Sequence, residues 1–356
     1  MGGFETLIGL VSQYSPSGQE RDAVEWLVVR MKSLGYEEVF IDEAGNAVGV
    51  MGQGPRQVVL LGHIDTVPGE IKVEQDGISL YGRGAVDAKG PLASFVDAVA
   101  KTGVKEGWQF VVIGAVEEER NSEGARFVAN QYKPDFAIIG EPNQWDRVAL
   151  GYKGSAWATV MVKRGQTHTA SGEETAAETA VEVWLKIKAY VDSFNVDKQK
   201  VFDKLLLTLR GMESGSDDFE QWARLKVGVR LPVDVAPEAW YEILQQETLK
   251  VSETFRVLAE PIGFAIPAWG CEKNTPLVRA FLSGIRSQSG EPRFVYKTGT
   301  ADLNIVAPIW KCPVVVYGPG DSVLDHTPNE HIALEDYAKA VSVLVSALEG
   351  LTKKVP

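Results

Sequence analysis

At four places in this sequence, side chains capable of chemistry follow directly on apolar runs. The run at 58–61 leads into Gly62-His63-Ile64-Asp65, and the run at 110–116 into Glu117-Glu118-Glu119. The run at 136–139 leads into Gly140-Glu141-Pro142, and 314–317 passes through a glycine-rich loop to Asp325-His326. A further acid, Asp87, lies in the loop 82–90. Short apolar runs bounded by Gly and Pro read as strands buried on both faces. Open parallel sheets bind ligands in the crevice beyond the carboxyl ends of their strands. The pattern therefore aims His63, the glutamate run, Glu141 and His326 at one place, with Asp87 beside them. Two imidazoles and three carboxylates suit a pair of divalent ions sharing one carboxylate. Mixed nitrogen and oxygen ligation of this kind favours zinc, with other first-row metals open. Other chemistries lack their motifs. The sequence contains no GxGxxG or P-loop, no GxSxG elbow and no HExxH helix.

The elements that must hold these residues follow from periodicity. Helices are expected at 5–14 and, after a turn at 15–18 with Ser17-x-x-Glu20 as a capping box, through Trp26, Leu27, Val29 and Met31 to a stop at Gly35. Helices at 88–101 and 123–131 alternate with the apolar strands, which argues for an α/β layered domain. After Gly154 the style changes. Strand 155–162, helix 176–191, strands 205–210 and 223–231, helix 238–249 and strand 255–259 give the order β-α-β-β-α-β of a ferredoxin-like sandwich. From 275 the α/β style returns, ending in a helix at 334–348. The fold class expected is α/β: a mostly parallel-sheet domain (1–153 and 267–356) interrupted by an α+β ferredoxin-like insert (154–266).

Composition sets outer bounds. Hydrophobic residues make up 45% and charged residues 24% of 356, the balance of a globular protein and not of a disordered one. A formal net charge of −12 gives no basic footprint for nucleic acid at the level of the whole chain. No apolar run reaches the ~20 residues of a membrane span. The first residues lack the basic patch and apolar core of a signal peptide. The two cysteines form no CxxC pair. A cytoplasmic, reduced protein is expected.

In order and spacing, five motifs resemble the M20 family of metallopeptidases and deacylases. They are Gly62-His63-Ile64-Asp65-Thr66-Val67-Pro68, Gly82-Arg83-Gly84-Ala85-Val86-Asp87-Ala88-Lys89-Gly90, Glu118-Glu119 with Gly124-Ala125-Arg126, Gly140-Glu141-Pro142, and His326-Thr327-Pro328-Asn329-Glu330. The nearest subgroup looks like the hydrolases that release lysine or ornithine from an amino-group carrier protein in lysine and arginine biosynthesis. The resemblance implies that His63, Asp87 and Glu141 hold one metal ion and Asp87, Glu119 and His326 the other, with zinc or cobalt as the ions. It implies that Asp65 fixes the His63 tautomer, as carboxylates behind metal-bound histidines do. The family reads Asp-Glu-Glu where this chain has Glu117-Glu118-Glu119. Counting back from Gly124-Ala125 puts the general base at Glu118 and the ligand at Glu119, their side chains separated by the alternation of an extended strand.

By the same resemblance His168 supplies an oxyanion donor from a lid domain. Gly299 and Thr300, in Lys297-Thr298-Gly299-Thr300, bind the substrate carboxylate. Asp87-Ala88 is expected as a cis peptide, and the insert as the site of homodimer formation. The leading function is hydrolysis of the amide joining lysine or ornithine to the C-terminal glutamyl group of an acidic carrier. The alternative is deacylation of small N-acyl amino acids such as N-acetyl-lysine or N-acetyl-ornithine. An acidic carrier meeting a chain of −12 needs a local basic patch, for which Lys153, Lys163, Arg164 and Lys297 are candidates.

Overall fold

The computed structural model describes residues 3–249 and 255–353, so the outermost positions of the expected chain division and residues 250–254 lie outside the described residues. Two compact units emerge. The first comprises Met1–Gly151, Cys271–Tyr296 and Ala301–Pro356, and the second Tyr152–Gly270 and Lys297–Thr300.

The first unit is built on a mixed sheet whose centre is parallel. Arg56–His63 lies between Trp108–Ala115 and Phe136–Gly140, and Val314–Tyr317 adds to the far side of Phe136–Gly140, all four parallel. Ala47–Met51 and Glu38–Ile41 extend one edge antiparallel, and Arg147–Tyr152 pairs antiparallel with Val314–Tyr317. Val58, Val59, Leu60 and Leu61 are fully buried, as are Val111, Val112 and Ile113, so these strands have no solvent face and carry no alternation. The helix Lys89–Thr102 covers the sheet with Leu92, Phe95, Val96 and Val99, and Leu334–Thr352 packs against it through Tyr337, Val341 and Leu344. The mostly parallel α/β fold expected from the sequence is the one observed.

The second unit is a four-stranded antiparallel sheet in the order Leu206–Ser216, Glu220–Leu231, Gly154–Gly165, Arg256–Pro261. Two helices, Ala176–Asn195 and Pro237–Leu249, cover one face through Val183, Ile187, Trp240 and Leu244. A capping box of Thr175 and Glu178 starts the longer helix.

Three local expectations are corrected. Ser17 does not cap the helix Arg21–Ser33. Its hydroxyl donates to Asp65 Oδ2 at 2.7 Å, while the Glu20 carboxylate accepts the amides of Gly18 and Glu117. Lys153 is not a surface cation. It is fully buried, and its ammonium donates to the carbonyls of Phe202 (2.9 Å) and Lys204. Burial pushes its pKa down to about 8. Lys163 and Arg164 are also engaged, with Glu220 and Glu173 respectively.

Candidate metal centre

The four parallel strands lie side by side, so their carboxyl ends share one edge of the sheet. His63 is the last residue of its strand, and Glu141 directly follows Gly140. Glu118 and Glu119 lie in a turn shortly after Ala115, and His326 follows the 3-10 turn Ser322–Leu324. Close approach makes room for this. A Cβ on Gly318, just past the last strand, would lie 2.7 Å from the Glu141 carbonyl, so only glycine lets the two strand ends meet.

The structure brings His63, Asp87, Glu119, Glu141 and His326 together. Donor atoms of His63, Asp87 and Glu141 lie within 4.8 Å of one another, and so do those of Asp87, Glu119 and His326. Asp87 belongs to both triads and offers one oxygen to each imidazole. His63 Nε2 is 3.2 Å from Oδ1, and His326 Nε2 is 3.0 Å from Oδ2 and 2.9 Å from Glu119 Oε1. A third triad, His63, Glu118 and Glu119, overlaps the others. The Asp87-Ala88 peptide is cis, as expected.

Asp65 meets His63 through both its carbonyl and its carboxylate. His63 Nδ1 is closer to the Asp65 carbonyl (3.0 Å) than to its carboxylate (3.4 Å). The carboxylate also accepts the amides of Glu118 and Glu119, both at 3.0 Å, and the Ser17 hydroxyl. The two glutamates are thus separated by a turn stapled to Asp65, entered through Glu117 at φ +59°, and not by strand alternation. Glu117 faces Arg120 at 3.9 Å.

The electrostatics describe a site short of positive charge. Burial pushes the Glu118 and Glu141 carboxyls well above their ordinary range, and neighbouring acids add to the shift. Burial would lower His63, but Asp65 and Asp87 hold its imidazolium well above the usual value. His326 is raised to about 10 by Asp87 and Glu119. Clustered buried carboxylates with two imidazoles fit divalent cations, which would supply the missing positive charge.

Asp302, which sequence reasoning passed over, is a further acid at this site. It is buried, accepts from Ser122, has no hydrogen bond to Oδ1, and contributes to the fields at Glu118 and Glu141. The signal was a lone acid just before the mostly apolar stretch 303–310, broken by Asn304. Burial raises its carboxyl to about 7. An acid whose pKa rises on folding binds more protons folded than unfolded, so its penalty grows as pH climbs from about 4 through about 7. Asp302→Asn is therefore expected to stabilise the metal-free protein by on the order of 2–4 kcal/mol at pH 8 and by far less at pH 5. Urea unfolding at both values checks this, and a destabilised variant at pH 8 would show that the carboxylate is anchored in its charged form.

The other expected site residues belong to the second unit. His168 lies on an exposed loop, its Nδ1 accepting the Ala170 amide at 3.1 Å. Gly299 lies next to Thr300, whose hydroxyl is 3.4 Å from Arg230 Nη1. Arg230 is a second residue the sequence reading missed.

A family profile described as peptidase family M20/M25/M40 matches residues 59–350. The chain belongs to this family. Among M20 relatives, the LysW-lysine hydrolase of Deinococcus radiodurans is 41% identical over 96% of this chain and 94% of its own length. The LysW-lysine/LysW-ornithine hydrolase of Saccharolobus solfataricus is 29% identical over 99% and 96%. Aminopeptidase PepT of Bacillus cereus shares the fold at a TM-score of 0.80, with 19% identity and 99% coverage of both chains. Bacillus subtilis YXEP, described as a dinuclear metal binding peptidase of the M20 family, aligns at 0.72 with 11% identity and 98% coverage of both. Among the described residues no helix is long and apolar enough to cross a membrane.

Proposed function

We propose that this M20 chain is a two-metal amide hydrolase that releases lysine or ornithine from the C-terminal glutamyl group of an acidic amino-group carrier protein. The observation that carries the two-metal reading is Asp87, whose two oxygens are shared between two ligand triads. The names of its relatives support the substrate. His63, Asp87 and Glu141 would hold one ion, and Asp87, Glu119 and His326 the other, with zinc or cobalt as the metal. Bound there, the cations would acidify a water and polarise the scissile carbonyl.

The remaining work falls to the chain. Glu118 takes the water proton at its carboxylate and delivers it to the leaving amine. Asp65 fixes the turn that separates Glu118 from Glu119 by holding both amides. His168 donates to the oxyanion. Gly299 and Thr300, with Arg230 against the Thr300 hydroxyl, hold the substrate carboxylate. The protein works in the cytoplasm as a homodimer formed through the second unit.

After chelation, turnover of carrier-linked lysine should vanish and return with zinc or cobalt, exceeding that of N-acetyl-lysine and N-acetyl-ornithine. Preference for the small acyl substrates would replace this reading by the deacylase one.

A further inference from the structure

The sheet of the second unit has helices on one face only. Along Glu220–Leu231 the odd-numbered residues from Ala223 to Leu231 are buried under those helices, and the even-numbered ones turn to the open face. Register places Trp157 opposite Gly228 and Trp222 opposite Gly215 on that face. A Cβ on Gly228 would fall 2.9 Å from the Trp157 ring, and one on Gly215 would fall 2.6 Å from the Trp222 ring. Each indole therefore lies flat across its neighbouring strand. Cations flank both rings: Arg210 and Lys226 at 5.9 and 5.7 Å from the Trp157 centroid, and Arg224 at 5.8 Å from that of Trp222.

This is a basic and aromatic surface on a chain of net charge −12. Its carboxylates are partly used up, since Glu213 faces Arg224 at 3.6 Å and Glu220 faces Lys163. Among the described residues Arg210, Lys226 and Arg230 have no carboxylate partner. Arg210 also bears on Arg230, whose guanidinium is disfavoured first by burial and then by that like charge. Two neighbouring cations without a carboxylate form a place where an anion is missing. Arg230 in turn touches Thr300, so the cationic track runs along the sheet into the proposed carboxylate loop.

We propose that this open face, formed by Trp157, Trp222, Arg210, Arg224 and Lys226, docks the body of an acidic protein whose C-terminal tail then enters the Thr300 loop. The proposal rests on the functional reading above and names the surface by which the carrier is recognised. It replaces Lys153, which is buried, and Arg164, which faces Glu173, whereas Lys163 lies on this same face opposite Trp222. Single-stranded nucleic acid also suits rings and cations. The track's end in the proposed carboxylate loop favours the acidic protein.

The test uses the full-length metal-loaded enzyme. An Arg224→Glu/Lys226→Glu variant is compared with Lys186→Glu/Lys188→Glu, the same charge change on the outer helix. The substrates are carrier-linked lysine and γ-glutamyl-lysine, which presents the same bond without the carrier. The face variant should lose about ten- to a hundredfold in kcat/KM for the carrier substrate and lose most of its salt dependence. Turnover of γ-glutamyl-lysine should change by less than about twofold, and the helix variant should match wild type on both substrates.

Unchanged carrier turnover in the face variant, or an equal loss in the helix variant, would overturn the docking surface while wild-type turnover keeps the functional reading. So would tighter binding of oligo(dT) than of loaded carrier, with the tighter binding abolished by the face reversal. A wild-type enzyme inactive on carrier-linked lysine but active on γ-glutamyl-lysine would overturn the functional reading itself.

Discussion

Glu118→Gln is expected to lower kcat by about 10²–10⁴-fold while both metal ions stay bound. Gln keeps the volume and the hydrogen-bonding shape of Glu, so the turn held by Asp65 should persist with the Glu118 and Glu119 amides still on its carboxylate. What is lost is the ability to accept a proton. In the metal-free protein burial raises the Glu118 pKa, with Glu141, Asp302 and Glu119 adding to the effect and His63 opposing it, and bound cations would offset that shift. Metal content by mass spectrometry and kcat on carrier-linked lysine check the two halves separately. Near-normal turnover would remove Glu118 as the base and leave Glu117, although its contact with Arg120 makes it a poor substitute.

Glu330→Ala should be the most damaging substitution away from the ligands themselves. Glu330 is fully buried and pairs with Arg83 at 2.8 Å, while its other oxygen accepts the amides of Val86 and Asp87 at 2.9 and 3.0 Å. Arg83 also donates to the carbonyls of Gly69 and Thr327. One carboxylate thus clamps the loop carrying Asp87 to the loop carrying His326. Removing it strands a buried guanidinium and frees two amides, at a cost of about 3–5 kcal/mol. Urea unfolding should register that loss, and zinc titration should show weakened binding. Glu330→Gln keeps an acceptor for the two amides and should bind metal better than the alanine variant despite losing the ion pair. A loss below about 1 kcal/mol for Ala would mean that the clamp is redundant.

Much of this was legible because the central strands are buried on both faces. Their apolar runs are continuous, so both the strands and the polar residues that end them stood out in the sequence. The second unit was readable for a different reason, since its strands alternate and its helices are amphipathic. The gaps have physical causes. Glu74–Gln75, Ser79–Tyr81 and His331–Ala333 form a small sheet from pieces too short for any period to show. The helix Leu303–Trp310 contains Pro308, which local rules take as a break, so Asp302 at its start was missed. Lys153 was misread because composition treats lysine as surface, whereas three backbone carbonyls within reach of its ammonium make burial tolerable.

The discontinuity of the first unit has a consequence for how the protein is made. His63, Asp87, Glu119 and Glu141 leave the ribosome early, but His326 and Glu330 come only after the whole second unit has been synthesised. At about 5–20 residues per second, roughly 10–40 s separate Glu141 from His326. During that interval Phe136–Gly140 lacks its parallel neighbour Val314–Tyr317, and Arg83 lacks its counter-charge. The nascent first segment therefore carries an open strand edge, an arginine without its counter-charge and four of the five proposed ligands. Of the two proposed ion sites, the one that needs His326 beside Asp87 and Glu119 is complete only in the finished chain.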